Sequence, residues 1–219
     1  MKIEAKNLVK EYTENGQIIR ALDGVTFSIE KGEFAGITGK SGSGKSTLLN
    51  ILAGLTIPTS GNVFFDGQDI FMLTDQEISF YRNAKIGFLP QTSSVLSGLT
   101  VLDNVRLPFH LAKRNGDSEK EAHRLLELVG LEKLANRMPS RLSGGQLKRV
   151  AIARAMMNNP GFLLVDEPTG DLDIHTTKEI MNIFRKAADE GTAVLVVTHD
   201  LQTMEYMDKS YEMTGGVLH

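Results

Sequence analysis

The sequence predicts an α/β fold: a parallel sheet flanked by helices, with an antiparallel β subdomain at the N-terminus and an inserted helical subdomain. Three observations carry this reading. Short uninterrupted apolar runs, as in EFAGIT, FLLVDEP and TAVLVVTHD, read as strands buried on both faces, which marks a parallel sheet covered by helices. Helical apolar stripes follow the first two of them. Between Pro90 and Pro160 the strand pattern gives way to helical periodicity altogether.

The elements follow in order. IEAKNLVKEY alternates loosely, Asn15-Gly16 is a hairpin signal, and ALDGVTFSIEKGE reads as the next strand. Glu33 to Thr38 is a short buried strand that feeds a glycine-rich loop. The helix KSTLLNILAG follows, with Leu48, Leu49 and Leu52 on one face and Gly54 as its stop. GNVFFDG and KIGFLP read as further strands. Ser118 and Glu121 have capping-box spacing; Ala122, Leu125, Leu126 and Val129 form one apolar face, and Gly130 ends it. Beyond Pro160, FLLVDEP is a strand, Ile180, Ile183, Phe184 and Ala187 stripe a helix, and TAVLVVTHD is another strand. The chain, 1–219, is therefore read as one domain. Its core, 1–91 and 156–219, is interrupted by a helical insert at 92–155.

Composition bounds the partners. Of 219 residues, 41% are apolar, enough for a sizeable core. The formal net charge is −3 and Lys and Arg form no long block, so no nucleic-acid partner is expected. There are no cysteines, which excludes disulfides and thiolate metal sites and fits a reducing compartment. MKIEAKNLVKEY is too polar for a secretory signal. The longest apolar runs fall far short of the ~20 residues that cross a bilayer. The expectation is a cytoplasmic chain, soluble by itself, that meets a membrane only through a partner.

Two stretches carry chemistry. The first, Gly39-Lys40-Ser41-Gly42-Ser43-Gly44-Lys45-Ser46 followed by Thr47, matches G-x-x-x-x-G-K-[ST] between a strand and a helix. Glycines there let successive backbone N–H groups converge on phosphates. Lys45 is expected to reach the β- and γ-phosphates and the Ser46 hydroxyl to bind Mg²⁺. A flexible Gly/Ser turn explains neither the Lys-Ser pair nor the strand-loop-helix context. FLLVDEP then delivers Asp166 and Glu167 at the C-terminal end of a strand, where ligands sit in open α/β sheets. Asp166 is read as a Mg²⁺ holder, through water, and Glu167 as the base that polarises the attacking water. His199 ends a strand at the same sheet edge, where it senses the γ-phosphate or orients the water, or is an ordinary surface histidine. Gln91 follows KIGFLP within reach of Mg²⁺ or water. Tyr12 stacks on adenine or simply packs in its strand. His110, His123, His175 and His219 are left as solvated or structural.

The second stretch is Ser143-Gly144-Gly145-Gln146, preceded by Leu142, at the start of the helix in RLSGGQLKRVAIARAM. A hydroxyl, two approachable N–H groups and a helix N-terminus suit an anion. With no lysine and no metal-binding Ser/Thr it grips a γ-phosphate but builds no catalytic site. The economical reading is that it completes another chain's site in a head-to-tail, two-fold dimer. The bland alternative is a serine N-cap with a glycine turn.

GKSGSGKST, FLPQ, LSGGQ, FLLVDEP, GDLD and the strand-end His199 occur in the order and spacing of an ABC-type ATPase, the nucleotide-binding subunit of ABC transporters. The resemblance covers essentially the whole chain. It implies a P-loop NTPase core, ATP and Mg²⁺ as cofactors, an ATP-dependent homodimer and an integral-membrane permease as partner. It implies that Tyr12 stacks on adenine and that Gln91 links Mg²⁺ to the permease. Leu142 to Gln146 become the signature that contacts the opposing ATP, Asp173 the D-loop aspartate at the dimer seam, and His199 the switch histidine. Gly170 and Asp171 depart from the Ser-Ala that many members carry there. PTSG at 58–61, GLTVLDNVRLP at 98–108 and EPTGDLD at 167–173 resemble one branch: macrolide exporters, lipoprotein-release ATPases, antimicrobial-peptide resistance transporters and a cell-division ATPase. The implied localisation is the cytoplasmic face of the membrane. An ABC ATPase of a non-transport complex, at the membrane or in soluble cluster assembly, stays open as an alternative. A GTPase or small-molecule kinase does not, for want of an NKxD guanine motif and of any use for LSGGQ.

Overall fold

The computed structural model describes residues 1–92, 94–170 and 172–219. β1 (Lys2–Glu14) and β2 (Gln17–Glu30) close on Asn15 and Gly16, both at positive φ, as the tight hairpin signalled by Asn-Gly requires. β3 (Phe34–Thr38) leaves for a second sheet and leads through the glycine loop into α1 (Lys45–Leu52). β4 (Ser60–Phe65) and β5 (Gln68–Asp69) return to the first sheet, which is antiparallel in the order β2-β1-β4-β5. α2 (Asp75–Lys85) and β6 (Ile86–Leu89) follow. Then come α3 (Val101–Leu111), α4 (Ser118–Leu128) and α5 (Gly144–Met156). β7 (Phe162–Asp166), α6 (Ile174–Asp189), β8 (Ala193–Thr198), β9 (Lys209–Thr214) and β10 (Val217–Leu218) complete the chain. The second sheet runs β10-β9-β3-β8-β7-β6, parallel throughout except for the β9–β10 hairpin.

Alternation along the central strands sorts the core into two faces. Leu163, Val165, Val194 and Val196 point to α3, α4, α5 and α6. Phe162, Leu164, Ala193, Leu195 and Val197 point to α1 and the antiparallel sheet. This double burial is why these strands carry no polar residue until their C-terminal ends.

Several elements escape the sequence reading, among them the two-residue β5. α2 buries none of its residues, so it has no apolar stripe to read; its signature is the Thr74–Glu77 capping box. β9, between β3 and the short β10, buries only Met213, and β10 is two residues long. One expectation is corrected. Asp117, not Ser118, caps α4, its carboxylate accepting from the N–H groups of Glu119 and Lys120 at 3.1 and 3.0 Å. One carboxylate oxygen serves two orphan donors, which the shorter serine side chain does not match. The buried Ser118 hydroxyl instead accepts from Arg106 Nε, and Glu121 pairs with Arg124.

The approach to α3 hangs on one side chain. Asn104 is fully buried; its Oδ1 accepts from the Leu96 N–H at 2.8 Å, and its Nδ2 donates to the carbonyls of Leu96, Leu99 and Thr100. Asn104→Ala leaves those groups without their partner. It should lower stability by roughly 2–3 kcal/mol, read as a fall in the urea midpoint at constant m-value.

Candidate functional site

The loop between β3 and α1 is wedged between the two sheets. A Cβ on Gly44 (φ 109°) would lie 2.3 Å from the Ala21 carbonyl oxygen on β2, and one on Gly39 would lie 2.3 Å from that of Met213 on β9. Only glycine fits this path. Lys40, Ser41 and Gly42 are exposed, Ser43 and Lys45 are buried, and Ser46 and Thr47 lie half-buried behind them. The buried Ser43 hydroxyl has no hydrogen-bond partner among the described residues. Lys45 Nζ donates to the carbonyls of Gly39 and Lys40 at 2.7 and 3.1 Å, so its charge sits inside the loop's curve. α1 starts at Gly44 with no side-chain cap, whereas α2 to α6 start on the side-chain oxygens of Thr74, Thr100, Asp117, Ser143 and Asp173. A helix whose leading N–H groups face no side chain of its own suits an anion.

Strand register aligns the acidic residues with this loop. Thr38 pairs with Thr198 and Asp166 with Val197, so the ends of β3, β7 and β8 share one sheet edge. Asp166 is buried, and its Oδ1 has no hydrogen-bond partner among the described residues. Burial holds its carboxyl above the ordinary range. A hydrogen bond from Ser46 opposes this, Glu167 adds to it, and the charges of Lys45 and Lys148 oppose it. An unpartnered buried carboxylate oxygen beside a serine hydroxyl fits Mg²⁺, which takes one or two protein oxygens and fills its shell with phosphates and water.

Glu167 follows at φ 47°, and its N–H donates to the Val197 carbonyl at 2.9 Å. Its Oε2 lies 3.0 Å from His199 Nδ1 and accepts from the His199 backbone N–H at 3.3 Å. An ionised carboxylate only accepts, so this contact selects the histidine tautomer protonated on Nδ1. His199 also lines an open depression of about 690 Å³ together with Gly39, Lys40 and Tyr211. Loop, carboxylates and histidine therefore form one constellation.

The other candidates lie elsewhere. Ser143 caps α5 in a capping box: its hydroxyl accepts from the Gln146 N–H at 3.3 Å, and the Gln146 side chain accepts from the Ser143 N–H at 3.0 Å. The N-cap reading of this serine is thus realised, and its hydroxyl keeps a proton to donate. Ser143, Gly145 and Gln146 border a depression of about 390 Å³ with Leu172 and Asp173; Leu142 packs beneath them. Among the described residues no hydrogen bond, ion pair or shared cavity joins Ser143–Gln146 to Gly39–Thr47. Asp173 caps α6, accepting from the Thr176 N–H and hydroxyl, which holds its carboxyl below the ordinary range. Asp171 lies outside the described residues. Gln91 is exposed, and its carbonyl accepts from Lys148. Tyr12 is half exposed on β1 opposite Ile19, with the Lys10 ammonium over its ring. Lys148 itself was missed. The only signal in the sequence is a cation inside the apolar run of α5.

Because burial raises the Asp166 carboxyl, the folded chain keeps that proton to higher pH than the unfolded chain does. Stability therefore falls as pH rises from the ordinary value of 3.8 through the raised folded value. Asp166→Asn should raise the thermal midpoint at neutral pH in chelator, and its advantage over the parent should shrink as pH falls toward 4. Equal midpoints at neutral pH would contradict this.

Comparison with known proteins agrees with this geometry. The model of the family described as ABC transporter matches residues 22–170. A dimeric structure of MJ0796, described as a bacterial ABC transporter cassette, superposes with a TM-score of 0.94 at 42% identity, covering 99% of this chain and 96% of that one. A second dimeric structure of MJ0796, in a post-hydrolysis state bound to ADP and Pi, gives 0.94 at 41% identity over the same shares. The ADP conformation of MJ1267, another ATP-binding cassette, gives 0.82 at 30% identity, covering 100% of this chain and 90% of that one. With the loop, the strand-end carboxylates and the α5 start all in place, the chain belongs to the ABC transporter family and is an ATP-hydrolysing cassette that works with Mg²⁺.

Proposed function

We propose that two copies of this chain close head to tail on ATP, and that the resulting hydrolysis powers a separate membrane permease. One observation carries the dimer: Ser143–Gln146 opens beside Asp173, and among the described residues no hydrogen bond or ion pair joins it to Gly39–Thr47 of its own chain. A γ-phosphate held at one chain's loop is what the other chain's Ser143 hydroxyl and α5 N-terminus would grip. The dimeric form of MJ0796 supports this reading.

Within each site the roles follow from chemistry. Lys45 exchanges its loop carbonyls for the β- and γ-phosphates, and the N–H groups of the loop and of α1 surround them. Ser46 and Asp166 would hold Mg²⁺, with Gln91 reaching toward it; bound there, the ion neutralises charge that develops on the phosphate oxygens. Glu167 orients the attacking water and takes up its proton. His199 fixes the Glu167 carboxylate through the 3.0 Å contact. Tyr12 offers an exposed aromatic face for adenine.

The permease reading rests on a groove of about 710 Å³ between α2, β6, α3 and α5. Phe80 and Leu111, each more than 60% exposed, stand on its wall beside Phe88 and Leu107. β6 runs from this groove directly to Gln91, so a seated segment would touch the strand that carries the glutamine. No helix among the described residues is long and apolar enough to cross a membrane. The PTSG, GLTVLDNVRLP and EPTGDLD stretches favour the exporter, lipoprotein-release and peptide-resistance branch, at the cytoplasmic face.

Glu167→Gln should bind ATP and accumulate as a dimer in size-exclusion chromatography, while steady-state hydrolysis drops about 10²- to 10⁴-fold. Parental turnover would remove Glu167 from the base role. The same variant, used as bait with ATP and Mg²⁺ on detergent-solubilised native membranes, should retain an integral-membrane chain. Phe80→Asp combined with Leu111→Asp should lose that chain and keep the isolated cassette's ATPase. Recovery of soluble proteins alone would defeat the permease reading and favour an assembly ATPase.

A further inference from the structure

We infer that Lys148 is a positioning residue for hydrolysis: from inside α5 it clamps the backbone carbonyls of Glu167 and Gln91 and holds Glu167 in the left-handed conformation that turns its carboxylate to His199. The inference rests on Glu167 as the base.

Lys148 is 8% exposed, a degree of burial that lysine seldom reaches unless it is paired. That burial needs compensation, and the partners are specific. Nζ donates to the Glu167 carbonyl at 2.8 Å and to the Gln91 carbonyl at 3.2 Å. The first is a buried contact between residues 19 positions apart, the second spans 57 positions.

Glu167 shows why such a clamp matters. It is a non-glycine residue at φ 47°, and a conformation of this kind persists only where the surroundings over-determine it. Three anchors do so here. Its N–H is held by Val197, its carbonyl by Lys148, and its carboxylate by His199. Only the Lys148 anchor comes from a helix, and that helix begins at Ser143. A displacement of α5 when Ser143 engages the partner's nucleotide is thus delivered to the base of its own site and to Gln91. Through-space attraction between Lys148 and Asp166 ties the same ammonium to the neighbouring carboxylate.

A purely structural Lys148 and a positioning one differ in kinetics. Lys148→Met keeps the length and removes the donors. It should lower kcat at least about tenfold with KM for ATP within about twofold, the pattern of an interaction realised in the transition state. In a Glu167→Gln background the same change should alter the residual rate by less than about twofold, because residues acting as a unit are non-additive. A crystal structure of Lys148→Met should show Glu167 outside the left-handed region. Lys148→Gln, too short to reach both carbonyls, should fall between parent and Met, and it decides the matter if the Met variant fails to fold. Parental kcat in the folded variant, a rise in KM alone, or an equal fold-loss in both backgrounds would overturn the inference. Parental turnover in Glu167→Gln by itself would instead overturn the base assignment.

Discussion

A carboxylate buried at the end of a parallel strand organises this molecule. Asp166 is placed by an apolar strand that has no room for polarity until its last residue, and its Oδ1 meets no hydrogen-bond donor among the described residues. Burial alone would drive it to hold a proton. The answer is a ring of compensation: Ser46 from α1, Lys45 from the glycine loop and Lys148 from α5 each favour its ionised form. Lys45 and Ser46 are neighbours at the start of α1, whereas Lys148 lies far along the chain in α5. The packing of α1 on one face of the sheet and α5 on the other is what lets them converge. The site is thus costly to the apo chain and complementary to a cation, which is the stability–function tension expected of a binding site.

The two-faced core explains how the elements are held. Odd and even residues of β7 and β8 commit to opposite clusters, so a slip of one residue in register would turn both faces inside out. The antiparallel sheet does more than cover one face. Ala21 of β2 and Met213 of β9 press on Gly44 and Gly39 from both sides, so the loop's shape is imposed by its walls and does not depend on a ligand. A loop pre-shaped in this way loses little entropy on binding.

Much of this was legible in the sequence, for physical reasons. Doubly buried strands are uninterrupted apolar runs, and FLLVD and AVLVVT are that in their most readable form. The glycine loop was legible because its geometry admits few residues. What stayed obscure had no apolar contrast or depended on long-range pairing. α2 lies on the surface without a buried face, and β9 buries only Met213. The Asp117 cap was missed because Ser118 has the right spacing, and burial decided the matter. Lys148 is the instructive miss. Nothing local distinguishes it from Arg149 beside it, whose guanidinium reaches outward to Glu179. Only the tertiary fold, which sets Gln91 and Glu167 against α5, reveals the difference.

The capping box at Ser143 bears on how two copies would meet. The capping box fixes Ser143 and the Gln146 N–H within the chain, so α5 arrives at a partner with its first turn and the serine proton pre-set. Two chains of formal charge −3 each gain nothing from bringing their acidic surfaces together unaided. In the proposed dimer the attraction has to come from what lies between them, a phosphate chain neutralised on one side by Lys45 and met on the other by a helix N-terminus. That attraction weakens once the γ-phosphate is cleaved, because the contact that distinguishes the closed state is made to that group. The cycle then needs no switch beyond the chemistry itself, and the machinery that performs the chemistry, anchored to α5 through Lys148, also reports its completion.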